Sequence, residues 1–154
     1  MARINMGKDL GHMIDLDLLS EKAVIIDGGV CIGGFIHELA SLTDITDFTI
    51  IGFEPSKTNI DNLGDIVKDI NIQIENKAIV GKSFPDRALF YEFKDAGLEE
   101  WGNIMGLYKT AARNRGAKQV EYLVDAITVE KMFDIYNISH IDYLKLDIEG
   151  AEFN

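Results

Sequence analysis

The stretch Val24-Ile25-Ile26-Asp27-Gly28-Gly29-Val30-Cys31-Ile32-Gly33-Gly34 constrains this chain more than any other: an apolar run ends in an acid and passes into a glycine-rich turn. The run is β-branched and unbroken, which reads as a strand buried on both faces. The glycines let the backbone turn sharply and approach a ligand with no Cβ in the way. Phe35 to Leu42 then carries apolar residues at helical spacing. The free amides at that helix start would face whatever the turn cradles.

A dinucleotide fingerprint requires G-x-G-x-x-G, and neither register of these glycines supplies it, so NAD is disfavoured. The pattern present is D-x-G-x-x-x-G, carried by Asp27, Gly29 and Gly33. It is similar to the first motif of methyltransferases that use S-adenosylmethionine (SAM). A second apolar strand follows, Phe48 to Phe53, and ends in Glu54-Pro55. An acid about 20 positions beyond the glycines, at a strand's carboxyl end, is placed to hold a ribose diol through charge-assisted hydrogen bonds. The alternative for Glu54 is a dipole partner for the helix that begins at Pro55 or Ser56.

Four blocks in order widen the likeness. They are Ile26-Asp27-Gly28-Gly29; Gly52-Phe53-Glu54-Pro55-Ser56 with Asn59; Glu75 to Gly81; and Asp142-Tyr143-Leu144-Lys145-Leu146-Asp147-Ile148-Glu149-Gly150-Ala151-Glu152. Together they resemble the FkbM family of methyltransferases, from about Ser20 to the last residue. The resemblance implies a Rossmann-like α/β fold, a mostly parallel sheet with flanking helices and an added antiparallel hairpin. It also implies transfer of a methyl group from SAM to a hydroxyl of a sugar, glycolipid or other natural product. Asp27 would orient the methionine end of SAM, with Gly28, Gly29 and Gly33 giving it room. Glu54 and Pro55 would lie at the ribose, and Asn76 with its adjacent backbone at the adenine. Cys31 stands where the family usually has Asn, and Val129-Glu130 where it usually has Leu-Asp. The family's fold continues beyond the last block, so the sequence reads as truncated after the fourth core strand. The edge at Ile141 to Leu146 would then be exposed and suited to homodimerisation.

The rest of the chain is organised around these blocks. A leading helix is expected over about Leu10 to Glu21, with the core running from residue 22 to 154 as one domain. Ser56 to Asp69 reads as a helix with Ile60, Leu63, Ile66 and Val67 facing the sheet, and Asn71 to Val80 as a third strand. Ala88 to Phe93 and Gln119 to Val124 read as an antiparallel pair, joined by a loop that carries Trp101, Asn103, Met105 and Tyr108. Thr128 is placed to cap a helix over Val129 to Tyr136, ahead of the fourth core strand, Ile141 to Leu146.

Composition excludes several classes. At 154 residues, 47% hydrophobic and 27% charged, the chain has the make-up of one soluble globular domain. A net charge of -11 disfavours a nucleic-acid partner. The basic stretch from Lys109 to Lys118 reads as a solvated loop, with an anionic acceptor as its other reading. No run approaches a membrane span, and residues 1–8 lack the apolar core of a secretory signal, so a cytoplasmic protein is expected. The single cysteine, Cys31, is either a small buried filler or a thiol acidified by the nearby helix start.

The chemistry follows from charge. SAM is already activated by its sulfonium, so the protein must align an acceptor oxygen with the methyl carbon and exclude water. An alcohol acceptor must also lose a proton, and a carboxylate is a reasonable base. Asp147 and Glu149, at the carboxyl end of a core strand, are the candidate catalytic residues. If the strand geometry continues through Asp147, the two share a face. Acceptor binding is favoured over a magnesium ion, so no metal is expected. Lys145 reads as a structural ion-pair partner, because a buried lysine is costly to leave alone. Two further readings stay open: a SAM-binding module without turnover, and an unrelated nucleotide-binding α/β protein.

Overall fold

The computed structural model describes residues 3–6, 12–94, 105–106 and 118–148. Two short strands come first, β1 (Arg3–Met6) and β2 (His12–Asp15), paired antiparallel with Ile4 opposite Ile14. A 3-10 turn follows at Leu16–Leu18. This replaces the leading helix expected from the apolar stripe, of which residues 10–11 lie outside the described residues. Met13 is 61% exposed and Ile14 only 2%, the two-residue period of a strand. Asp15 then accepts a hydrogen bond from the Asp17 amide at 3.3 Å, which starts a separate turn. Leu16 and Leu19 still pack against the main core, on a different backbone.

The core alternates as the sequence implies: β3 (Val24–Gly28), α1 (Gly34–Leu42), β4 (Thr49–Phe53), α2 (Lys57–Val67) and β5 (Ile72–Glu75). Next come β6 (Lys77–Ile79), β7 (Arg87–Lys94), β8 (Met105–Gly106) and β9 (Lys118–Ile127). The described elements end with α3 (Val129–Ile135) and β10 (Tyr143–Leu146). Both later helices are capped by hydroxyls: Thr128 as expected, and Ser56, which the sequence pattern sets inside its helix, at the position before it. The Asn59 amide donates to Ser56 Oγ at 3.2 Å, and the Lys131 amide to Thr128 Oγ1 at 3.4 Å.

Strands β10, β3, β4 and β5 form one parallel sheet in that order, a Rossmann-like arrangement with the fourth core strand beside the first. Ile25 and Ile50 lie opposite each other and pack with Phe35, Ile36 and Leu39 of α1. One step along, Ile26 and Ile51 face the other way, towards Ile79, Ile127 and Met132 of α3. Both faces are therefore covered, which is why these strands read as continuous apolar runs.

Residues 71–80 are two strands rather than one. β5 completes the parallel sheet, while β6 pairs with β9 in a second sheet of order β6-β9-β7-β8. The chain passes from one sheet to the other across a single residue, Asn76. β7 and β9 form the expected antiparallel pair, in register from Arg87 opposite Asp125 to Lys94 opposite Lys118. They build a sheet of their own around Ala78, Val80, Ala88, Phe90 and Val124. Among the described residues no helix is long and apolar enough to cross a membrane.

Candidate functional site

The parallel register sets the last residues of four strands in a row: Leu146, Gly28, Phe53 and Glu75. One step beyond them stand Asp147, Gly29, Glu54 and Asn76. All four were singled out from sequence, and the sheet brings them to a single edge, where open α/β sheets take ligands.

The glycine turn is fastened from both sides. The Gly29 and Val30 amides both donate to the Phe53 carbonyl, at 2.9 and 3.2 Å. The Cys31 amide donates to Glu54 Oε2 at 2.8 Å, and the Ser56 amide to Glu54 Oε1 at 2.8 Å. The Asn59 side chain also hydrogen-bonds this carboxylate. Glu54 is thus the latch between the end of β4 and the glycine turn, a role beyond either of its sequence readings. Only 3% of it is exposed. Burial pushes its carboxyl above the usual range, while the Ser56, Cys31 and Asn59 hydrogen bonds pull the other way. Pro55 is half-buried beside it.

On the opposite side, Lys145 Nζ donates to Asp27 Oδ1 at 2.7 Å, to the Gly29 carbonyl at 2.8 Å and to the Gly28 carbonyl at 3.3 Å. Lys145 is 5% exposed and Asp27 is 0% exposed. The expected ion pair for Lys145 is therefore present, and the Asp27 carboxylate lies beneath the glycine turn rather than at its surface. Three donated bonds use all three protons of the ammonium group.

The glycines are required for reasons other than room for a ligand. A Cβ on Gly28 would come within 2.8 Å of Ile79 Cδ1, and one on Gly29 within 2.1 Å of the Asp147 carbonyl oxygen. Gly29 has φ +78° and Gly33 φ +84°, both left-handed. Gly33 is the N-cap of α1, and space is open around Gly34, the first helical residue. Cys31 also takes a left-handed φ of 54°. A left-handed position suits Asn better than Cys, which explains the residue usual in the resembled family. Burial and the neighbouring Glu54 charge push the half-buried Cys31 thiol's pKa up, the opposite of an acidified nucleophile.

Asp147 lies just past the end of β10; its amide donates to the Gly28 carbonyl at 3.0 Å and its side chain is exposed. The strand ends at Leu146, and Ile148, in a bend, packs on the same core cluster as Leu146 with exposed Asp147 between them. Glu149 and Glu152 lie outside the described residues, as do Trp101, Asn103, Tyr108 and residues 109–117. Asn76 directs its side-chain amide at the carbonyls of Glu54 and Pro55, at 2.9 and 3.0 Å.

Tyr122 was not singled out from the sequence. Its hydroxyl donates to Glu92 Oε2 at 3.2 Å, and it lies within interaction range of Ser56 and Glu54. The second sheet thereby reaches the latch. The available signal was the alternation of Ala88, Phe90 and Glu92, which sets a buried carboxylate on the inner face of β7.

The chain matches the family model described as "Methyltransferase FkbM domain" over residues 27–154. No curated protein matches it.

Proposed function

Because the chain belongs to the FkbM methyltransferase family, we propose that it transfers the methyl group of SAM to a hydroxyl of a sugar, glycolipid or other small natural product. The observation that supports this most is the row of Asp147, Gly29, Glu54 and Asn76 beyond one sheet edge, with the start of α1 alongside.

The residues present fit the cofactor. The amides in the first turn of α1 have no acceptor within the helix, no acid lies in that turn, and space is open at Gly34. That suits the carboxylate of an amino-acid moiety. A carboxylate has about four lone-pair sites, and three at Glu54 are occupied by Cys31, Ser56 and Asn59. Glu54 would hold the ribose through the acceptor site that remains. Gly28, Gly29 and Gly33 shape the turn, Asp27 holds it through Lys145, and Pro55 carries the chain out from Glu54 beside Asn76.

Bound SAM supplies a methyl group already activated by its sulfonium charge. The protein's own task is to orient the acceptor and receive its proton. Asp147 is exposed at the sheet edge next to Gly29, and its carboxylate accepts the proton of the acceptor hydroxyl, with Glu149 as its partner. Lys145 spends its protons on the glycine turn and takes no part in proton transfer.

Calorimetric titration with S-adenosylhomocysteine, with NAD as control, tests the cofactor; assay of Asp147→Asn against a panel of hydroxyl acceptors tests the base. The expected result is selective binding by both proteins, with methyl transfer lowered about 100-fold or more in the variant. NAD bound as well as S-adenosylhomocysteine would overturn the cofactor reading, and an undiminished variant would overturn the base.

A further inference from the structure

We infer that Asn76 is a positioning residue, holding Glu54 in place through its carboxamide NH2, and does not read the adenine base through that group. This rests on the SAM reading above for its ligand, though not for its geometry. Asn76 Nδ2 lies 2.9 Å from the Glu54 carbonyl oxygen and 3.0 Å from that of Pro55. Both partners are acceptors, so only the NH2 group can face them and the amide orientation is settled by chemistry. Both of its protons are committed. A side chain that read adenine through a donor and an acceptor together would need one of them back.

Its place in the fold shows what the two bonds accomplish. Asn76 is the single residue between β5 in the core sheet and β6 in the second. The Glu54 amide donates to the Glu75 carbonyl at 3.0 Å, so Glu54 is pinned from this strand through its own backbone on both sides. Its carboxylate then meets the Cys31 and Ser56 amides. Asn76 fixes the backbone, and the backbone aims the carboxylate. The chain's passage between two sheets is thereby tied to the aim of the ribose ligand.

Two substitutions separate positioning from base reading. Asn76→Asp keeps an acceptor oxygen and the side-chain shape but turns acceptors towards two carbonyls, and Asn76→Ala removes the group. Asn76 is exposed, and the thermal melt of each variant checks that it folds. S-adenosylhomocysteine affinity is expected to fall roughly tenfold or more in both. Combining Asn76→Ala with Glu54→Gln should weaken binding little beyond Glu54→Gln alone, because both act through one carboxylate. Additive losses, or full affinity in Asn76→Asp, would overturn the inference. Hydrogen exchange of the Cys31 amide reads the same linkage with no ligand present. Faster exchange in Asn76→Ala supports the inference and unchanged exchange overturns it, even in a chain that binds no S-adenosylhomocysteine.

Discussion

Lys145 Nζ sits 2.7 Å from Asp27 Oδ1 and 2.8 Å from the Gly29 carbonyl, so one ammonium group neutralises a fully buried acid and holds the turn that follows it. Removing the cation while keeping the acid strands a charge in the core. Lys145→Met should therefore cost roughly 3 to 5 kcal/mol of stability, measured by urea unfolding. Adding Asp27→Asn should recover part of that loss. Full additivity of the two changes would contradict the pairing.

The glycines divide by what surrounds them. Gly29→Ala meets the Asp147 carbonyl and a left-handed φ, and should destabilise by more than about 2 kcal/mol. Gly64, within α2, has open space around it. Gly64→Ala should stabilise by about 0.5 to 1 kcal/mol. The two melting curves should move in opposite directions.

Cys31 holds a left-handed backbone that Asn adopts more readily. Cys31→Asn should raise stability by about 1 kcal/mol in denaturant titration. Because burial and the Glu54 charge raise the thiol's pKa, alkylation of the folded protein at pH 8 should lag that of the unfolded chain. Equal rates would show the thiol is not so placed.

The Tyr122 phenol is pushed up from its usual value near 10 to about 12, first by burial and then by the Glu92 charge. The folded state holds this proton more tightly than the unfolded chain. Its contribution is therefore present below pH 10 and lost as the pH rises from 10 towards 12. Tyr122→Phe should flatten the decline of melting temperature across that window, and an unchanged slope would exclude Tyr122 as a source.

Much of the site was legible because its signals are local. The β-branched run Val24 to Ile26, the acid at Glu54 after a strand and the hydroxyl of Thr128 before a helix each declare themselves within a few residues. What was not legible depends on distant partners. Residues 71–80 carry apolar side chains on both sides of Asn76, and only the Glu54 and Pro55 carbonyls reveal where the strand breaks. The glycines at 28 and 29 suggested space for a ligand, whereas their nearest neighbours come from β6 and the end of β10. The apolar residues at 13–19 fit a helical stripe as well as a strand and turn, and the pairing with β1 decides between them.

The Lys145 to Asp27 bond joins residues 118 positions apart. On a ribosome, β3, α1 and β4 emerge long before the strand that carries Lys145, and contacts of such separation are slow to form. A nascent chain arrested before β10 would own the glycine turn without the ammonium group that secures it. The oldest part of the site, in order of synthesis, is finished by the youngest.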